Sequence, residues 1–524
     1  MKFKLHALVL AIAAGVSTTA AAGVSGHEAA IAKAVTQVRA HADVTLADDD
    51  QSFAAKDVII DADGSQHVRL IRSYKGLRVI GGDLVVHSDA QDRFRNASMT
   101  LRERIALATR PVVAEAQAIG AAEAAFEGKI SGASKAGLAI YAREGRPQLV
   151  WDVLVDGVKG DRMSSLMHTI VSARSAKVID QWDDVQSASG TGNTLYLGTL
   201  AIKTSKSSGV YSITDTTRGS HYVTDMNDAD SGDGDLFVDA DNIWGDSTTS
   251  DRATVAADAA NAQAKTWDWF YKQYGRLGIF GDGSGSFSRV HVMSNWSNAQ
   301  WNRNGCQCMS YGDGDGVQLS PLVSLDIGGH EMTHGVTQET AGLIYSRGDT
   351  GGLNESMSDI FGTLVEYSGA IEGKPGNYLV GERIYAVNAG VEYPTTALRY
   401  MFKPSIDGTS RDCYGNVVKV LDPHYSSGVG NHFFYLLAEG VKIPTGFESL
   451  AKSDLVCDGN TALKGIGRKK AGQIVYRALS VYMTENTKYS DARVATLSAA
   501  ADLYGQGSTE YNTVAAAWTA VKVN

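Results

Sequence analysis

Apolar residues recur every three or four positions over 255–274, 354–367, 430–439, 468–484, 491–504 and 513–521, a period that predicts helices. The first half carries shorter runs rich in β-branched residues, at 68–71, 84–86, 149–155, 178–180 and 290–293, which predict strands, with a turn at Lys75-Gly76. An Ala-rich helical start precedes them. From residue 194 to about 281 short strands mix with an Asp-rich loop, 225–235, which offers either a calcium site or a solvated turn; its glycines fall at the wrong places for an EF-hand. After Tyr345 the pattern turns mostly helical. The fold class implied is α+β, with a strand-rich lobe followed by a helical one.

The stretch from Trp182 to Asn193 is small, polar and Gly-containing, the composition at which nicking concentrates, so a maturation boundary is expected near Gln186-Ser187. The predicted organisation is a removed segment 1–22, a separate module 23–186, a strand-rich lobe 187–341 and a helical lobe 342–524.

With 524 residues, 44% of them apolar and 20% charged, the chain suits two or more packed domains rather than disorder. Lys2, Lys4, an apolar run at 7–16 and Ala20-Ala21-Ala22 before Gly23 have the three-part layout of a secretory signal peptide. No later run approaches the ~18 apolar residues of a membrane span, so a secreted product without a membrane anchor is expected. A net charge of −10 argues against nucleic acid or anionic membrane as the main partner. The four cysteines, Cys306, Cys308, Cys413 and Cys457, allow three disulfide pairings. Cys413 with Cys457 is the expected long-range pair, because both lie in the helical lobe, leaving Cys306 to Cys308 across a tight, easily reduced ring.

The candidate chemistry is His330-Glu331-Met332-Thr333-His334, followed 21 residues after its second histidine by Glu355 in Asn354-Glu355-Ser356-Met357-Ser358-Asp359. On a helix spanning about 326–339, positions i and i+4 share a face, so His330 and His334 can address one ion while Glu331 flanks it. Three protein ligands leave zinc a fourth position for water, as a hydrolase needs. Asp359, one turn after Glu355, is placed to accept the free N–H of a ligating histidine.

These residues resemble the thermolysin-like metallopeptidases over nearly the whole chain. His67-Val68-Arg69, Gly76, Val79, Gly81 and Val86-His87 are similar to the propeptide of the fungalysin and thermolysin type. The resemblance implies a secreted zinc endopeptidase made as a proenzyme, with its own propeptide as inhibitor and folding aid. It also implies protein and peptide substrates and a monomer. His330, His334 and Glu355 would bind one zinc, and Glu331 would act as general base. Tyr345 and His424 would donate to the oxyanion, with Asp422 holding His424 in its donor tautomer. Asn298 and Ala299, followed by Gln300 where an aromatic is usual, match the substrate-binding edge strand, and Arg399 matches the arginine for the substrate carbonyl. Leu319, Leu322, Ile327 and Leu398 would line an apolar pocket for the residue after the scissile bond. Asp326, Glu366, Asn377 and Glu382 would hold one structural calcium.

Two other readings compete. An aminopeptidase of the wider gluzincin group would space its third ligand more closely and carry an amine-binding motif not found here. A zinc-binding adhesin or structural protein would have no use for Glu331 beside an open coordination position.

Overall fold

The computed structural model describes residues 26–130, 132–143, 146–159, 164–207, 209–369, 375–385 and 395–524. The proposed signal peptide, 1–22, lies outside them. Among the described residues the chain divides into two compact units: the segment from Gly26 to Ala125 with Ser134–Val155 and His168–Trp182 forms one, and the remainder, on to Asn524, the other.

In the first unit, strands Gln66–Tyr74 and Leu84–Ser88 bury alternate residues, as the period of two dictates. Val68, Leu70, Leu84 and Val86 pack against Ala30, Ala34 and Val38 of helix Gly26–Ala40. Leu77–Ile80 pairs in parallel with Lys135–Tyr141, which in turn pairs antiparallel with residues 148–154 and so joins the hairpins of residues 51–99 to the later strands.

In the second unit, residues 186–194, overlapping the small, polar stretch 182–193 in which the maturation boundary is expected, form a strand, Gln186–Thr194, antiparallel to Gly198–Ser207 and parallel to Ile243–Trp244. Small residues suit this position because Gly190 and Gly192 run against Asn242 and Ala257, where a Cβ would come within 2.4 and 3.2 Å of its neighbours. A six-stranded sheet follows and ends on the short strand Ala299–Trp301. The strand predicted at 290–293 stops at Val290, and His291 and Met293 turn away with φ of 55° and 54°.

Helix Arg252–Tyr274 is capped by Asp251, whose side chain accepts from the Ala253 N–H, and ends at Gly275 with φ 69°. Behind it lie helices Leu325–Gln338 and Asp349–Gly369. Their close approach is set by glycine: a Cβ on Gly328 would sit 2.4 Å from Ala262 Cβ, one on Gly329 3.0 Å from Gly362 Cα, and one on Gly362 2.5 Å from the Asp326 carbonyl oxygen. The remaining helices, Gly428–Glu439, Arg468–Arg477, Tyr489–Tyr504 and Thr509–Ala520, share the same hydrophobic core, with Phe433 stacked on Trp518 at 3.7 Å. The expected helix 468–484 ends early, passing into a wider turn at Ala478–Tyr482. Disulfides join Cys306 to Cys308 and Cys413 to Cys457, the expected pairing. Among the described residues no helix is long and apolar enough to cross a membrane.

Candidate active site

Helix Leu325–Gln338 presents His330, Glu331 and His334 toward Asn354, Glu355 and Asp359 of helix Asp349–Gly369. His330 Nε2 lies 3.0 Å from His334 Nε2, and Glu355 places its two oxygens 3.5 Å from the first and 3.3 Å from the second. Among the described residues this is the one group of three or more His, Cys, Asp or Glu whose ligand atoms all lie within 4.8 Å of one another.

The hydrogen bonds around the imidazoles fix their tautomers. His330 Nδ1 is 2.8 Å from Asp359 Oδ1, and an ionised carboxylate only accepts, so the ring proton sits on Nδ1 and the Nε2 lone pair faces inward. His334 Nδ1 is 2.7 Å from Asn354 Oδ1, while the Asn354 amide donates to the Leu343 carbonyl at 2.8 Å, which fixes the flip of that amide. Two nitrogen lone pairs and a carboxylate thus converge, the donor set that zinc takes.

Burial works against the charged form of His334, but Glu355, Glu331 and Asn354 outweigh it and raise the imidazole to about 9, so a metal gains the second lone pair only by displacing a proton. Burial likewise opposes ionisation of Asp359, yet Arg399 and His330 keep it well below the usual carboxylate range. Glu331 is 5% exposed and its Oε2 has no hydrogen-bond partner. A buried carboxylate oxygen left unpaired costs folding free energy, so its retention points to chemistry.

A cleft of about 610 Å³ opens over this group. It is lined by His330, Glu331, His334, Glu355, Tyr345, Arg399 and His424, by Ala299 of the sheet's terminal strand and by Asn298 just before it. Tyr345 donates its hydroxyl to Glu355 Oε1 at 2.7 Å, and His424 Nε2 lies 3.6 Å from the same oxygen.

Residues 189–338 match the family model for the thermolysin metallopeptidase catalytic domain, and 341–523 that for its alpha-helical domain. The chain belongs to the thermolysin metallopeptidase family. Residues 51–100 match the Fungalysin/Thermolysin Propeptide Motif. The chain is 42% identical over 478 residues to a transglutaminase-activating metalloprotease of Streptomyces mobaraensis, covering 90% of this chain and 61% of that protein. It is 32% identical over 483 residues to bacillolysin of Brevibacillus brevis, covering 88% and 82%. It is also 32% identical over 498 residues to thermolysin of Alicyclobacillus acidocaldarius subsp. acidocaldarius, covering 88% and 84%. The family makes this chain a zinc metalloendopeptidase carrying a propeptide.

Several expectations for this family member need correction. Asp422 faces His424 Nδ1 at 2.8 Å, so the ring donates there, and Nε2 can donate to a substrate oxygen only when the imidazole is protonated. Asp422 therefore selects the Nδ1–H tautomer rather than the Nε2–H donor tautomer. Leu322, Ile327 and Leu398 line the cleft, whereas Leu319 does not; it is held in a β-bridge to Tyr385. Arg399 reaches the cleft wall but spends two N–H groups on Asp359, at 2.7 Å each.

The residues expected around calcium come together only in part. Asp326, Glu366 and Glu382 are all buried, and Asn377 bonds both glutamates, through its backbone N–H to Glu366 at 3.2 Å and its side chain to Glu382 at 2.9 Å. Arg383 enters the same cluster, with Nε 3.2 Å from Glu366 and 3.6 Å from Glu382. Burial, then the neighbouring carboxylates, push Glu382 up to about 7 and Glu366 well above its ordinary value. In the Asp-rich loop, Asp225 is paired with Arg252, Asp230 with Arg303, and Asp235 with Asn227, so side chains rather than an ion satisfy those carboxylates.

Three residues of the site were missed in the sequence. Asn354 orients His334, Asn431 donates to Asp359 at 2.8 Å, and Gln338 accepts from the Trp301 indole at 3.0 Å. Asn354 carried a signal, since it adjoins Glu355 on the same first turns of the helix. Asn431, from a distant helix, carried none.

Proposed function

We propose that this chain is a secreted endopeptidase, made as a precursor, that hydrolyses peptide bonds preceding bulky apolar residues. The observation that carries the reading is the unpaired, buried Glu331 Oε2 beside the convergent His330, His334 and Glu355. When bound there, zinc would polarise the scissile carbonyl and acidify the attacking water.

The chain's own groups do the rest. An extended substrate adds to the open edge of Ala299–Trp301, with Asn298 and Ala299 supplying polar contacts. Glu331 takes the proton from the attacking water and passes it to the leaving nitrogen. Tyr345 and protonated His424 donate to the developing oxyanion, an interaction commonly worth about 3 kcal/mol. Arg399, held flat by Asp359, offers a remaining N–H to the carbonyl after the scissile bond. Leu322, Ile327 and Leu398 receive the following apolar side chain. Asp326, Glu366, Asn377 and Glu382 hold one calcium, and Arg383 supplies the charge that a second ion would otherwise bring.

Residues 1–22 direct export. The segment ending near Gln186-Ser187 acts as folding aid and inhibitor until cut, which requires the start of the Gln186–Thr194 strand to fray. The Streptomyces relative is named for activating another protein, and precursor proteins are a substrate class proposed here also. The test is purification of the secreted product, its N-terminal sequence, and casein hydrolysis before and after chelation. Activity that survives complete zinc removal refutes the reading.

A further inference from the structure

The first unit contains a pair of histidines that the proposed peptidase chemistry does not use. His67, on Gln66–Tyr74, stands directly opposite His87, on Leu84–Ser88, in the antiparallel ladder, and their Nδ1 atoms are 2.8 Å apart. The flanking pairs Gln66 with Ser88 and Val68 with Val86 fix the two backbones in register. Val68 and Val86 point into the core, so the imidazoles stand on the opposite, solvent-reachable face.

The outer nitrogens are also engaged. His67 Nε2 lies 3.0 Å from Asp61 Oδ2, and His87 Nε2 lies 2.9 Å from Ser98 Oγ. Since Asp61 only accepts, the proton of neutral His67 sits on Nε2 and its Nδ1 lone pair faces His87. In the resting pair the His87 Nδ1–H donates into that lone pair, and once His87 turns its own Nδ1 lone pair inward the two nitrogens together attract a cation.

We propose that His67 and His87 form a two-imidazole site for a divalent transition-metal ion such as zinc. Metal binding moves the His87 proton from Nδ1 to Nε2, where Ser98 Oγ accepts it, so both rings ligate through Nδ1 and no proton leaves the neutral pair. Tetrahedral zinc with bonds of about 2.0–2.1 Å separates two nitrogens by roughly 3.3 Å, and the rings reach that by a small rotation about their soft terminal torsions. Asp61 then plays toward His67 the part of a carboxylate behind a ligating histidine, fixing tautomer and orientation. Water completes the coordination. The bound ion cross-links the two strands that carry the core of this unit. Arg69, one pleat away, is neutralised by Asp83 at 2.9 Å and does not repel the ion. Acid competes with the metal, because protonating either imidazole removes a ligand.

The test uses the full chain, kept uncut as Glu331→Gln and checked by mass, dialysed against micromolar zinc at pH 7.5. About two zinc ions per chain are expected, falling to about one in His67→Ala and in His87→Ala. His334→Ala removes the other equivalent and leaves this one, so failure here and failure of the catalytic reading are distinguishable. Asp61→Asn leaves both ligands and the strands in place, and is expected to weaken the second equivalent about tenfold. One zinc in the full chain, or two in the His87→Ala chain, overturns the proposal. If the histidine variants melt without cooperativity, Asp61→Asn decides, and an unchanged affinity for the second zinc there overturns it equally.

Discussion

Replacing Asp359 with Asn removes one charge and almost no volume from a carboxylate that accepts four hydrogen bonds. These come from His330 Nδ1 at 2.8 Å, Arg399 Nε and Nη2 at 2.7 Å each, and Asn431 Nδ2 at 2.8 Å. An amide oxygen can replace half of them, while its NH2 group must face a donor. Two losses follow. His330 loses the anion that fixes its Nδ1–H tautomer, and outer carboxylates of this kind contribute about 10–100-fold in metal affinity, or roughly 1.4–2.7 kcal/mol. Arg399, largely buried at the cleft wall, keeps only Glu355 at 4.0 Å as counter-charge, and breaking a buried pair on one side costs up to about 3–5 kcal/mol, less where the cleft admits water. Zinc retention is read by competition with a graded chelator, and folding stability by urea denaturation of the chelated protein. Adding Arg399→Met to the Asp359→Asn variant removes the stranded charge, so the double variant recovers stability but not zinc affinity. Because Asp359 is held below its ordinary value, its contribution is present above about pH 4 and lost only on further acidification. The reasoning fails if Asp359→Asn competes for zinc as well as the unmodified chain does.

Glu331→Gln is expected to keep zinc and lose about 10²–10⁴ in kcat, measured on a chromogenic peptide at matched metal content; near-normal turnover would remove Glu331 as the base. A peptide-library digest should show cuts before Leu, Phe, Ile or Val, and trimming Leu398 to Ala should lower kcat/KM for these by roughly 1–3 kcal/mol; dominant cuts before charged residues contradict the pocket. Without calcium, stability should fall as pH rises from about 4.5 through about 7, because the raised Glu382 binds its proton more tightly folded than unfolded. Calcium should abolish that slope and release protons on binding, and a melting temperature independent of calcium at pH 8 excludes the site. Gly362→Ala should destabilise by more than 1 kcal/mol, since its Cβ would meet the Asp326 carbonyl at 2.5 Å; an unchanged melt would show that the helices can part freely.

Much of this architecture was legible because periodicity reports burial. The long helices 255–274, 354–367 and 430–439 pack into a common core, the first on one side and the other two almost all round, and spacing alone located them. The zinc group was legible for the same reason, as i and i+4 on one helix and a short motif on the next leave little geometric freedom. The strand at 186–194 was not legible because its formation depends on the partner strand and on room beside Asn242 and Ala257, neither of which is local. Leu319 was misplaced since an apolar residue near a cleft can face either way, and its β-bridge to Tyr385 is a tertiary fact. Arg383 and Asn431 were invisible because each satisfies a carboxylate of another element, Glu366 and Asp359. The sequence marks where buried charge lies more readily than what neutralises it.

That asymmetry explains why two acidic centres share one helix pair. Asp326, His330 and His334 lie at successive i+4 positions, opposite Glu355, Asp359, Gly362 and Glu366 on the facing helix, so one glycine-lined seam carries both groups. Burying Asp326, Glu331, Glu355, Asp359 and Glu366 there, with Glu382 beside them, is not a route to stability, because a buried ion pair at best roughly offsets its own desolvation. Asp359 is answered by Arg399 and His330, and Glu366 and Glu382 in part by Arg383 and Asn377. Glu355 is answered by the imidazoles, while Glu331 Oε2 accepts no hydrogen bond among the described residues. The residual negative charge on the seam is therefore concentrated where cations and a reacting water are required. Filling that requirement, rather than packing, is what makes so polar a helix pair worth keeping at the centre of the fold.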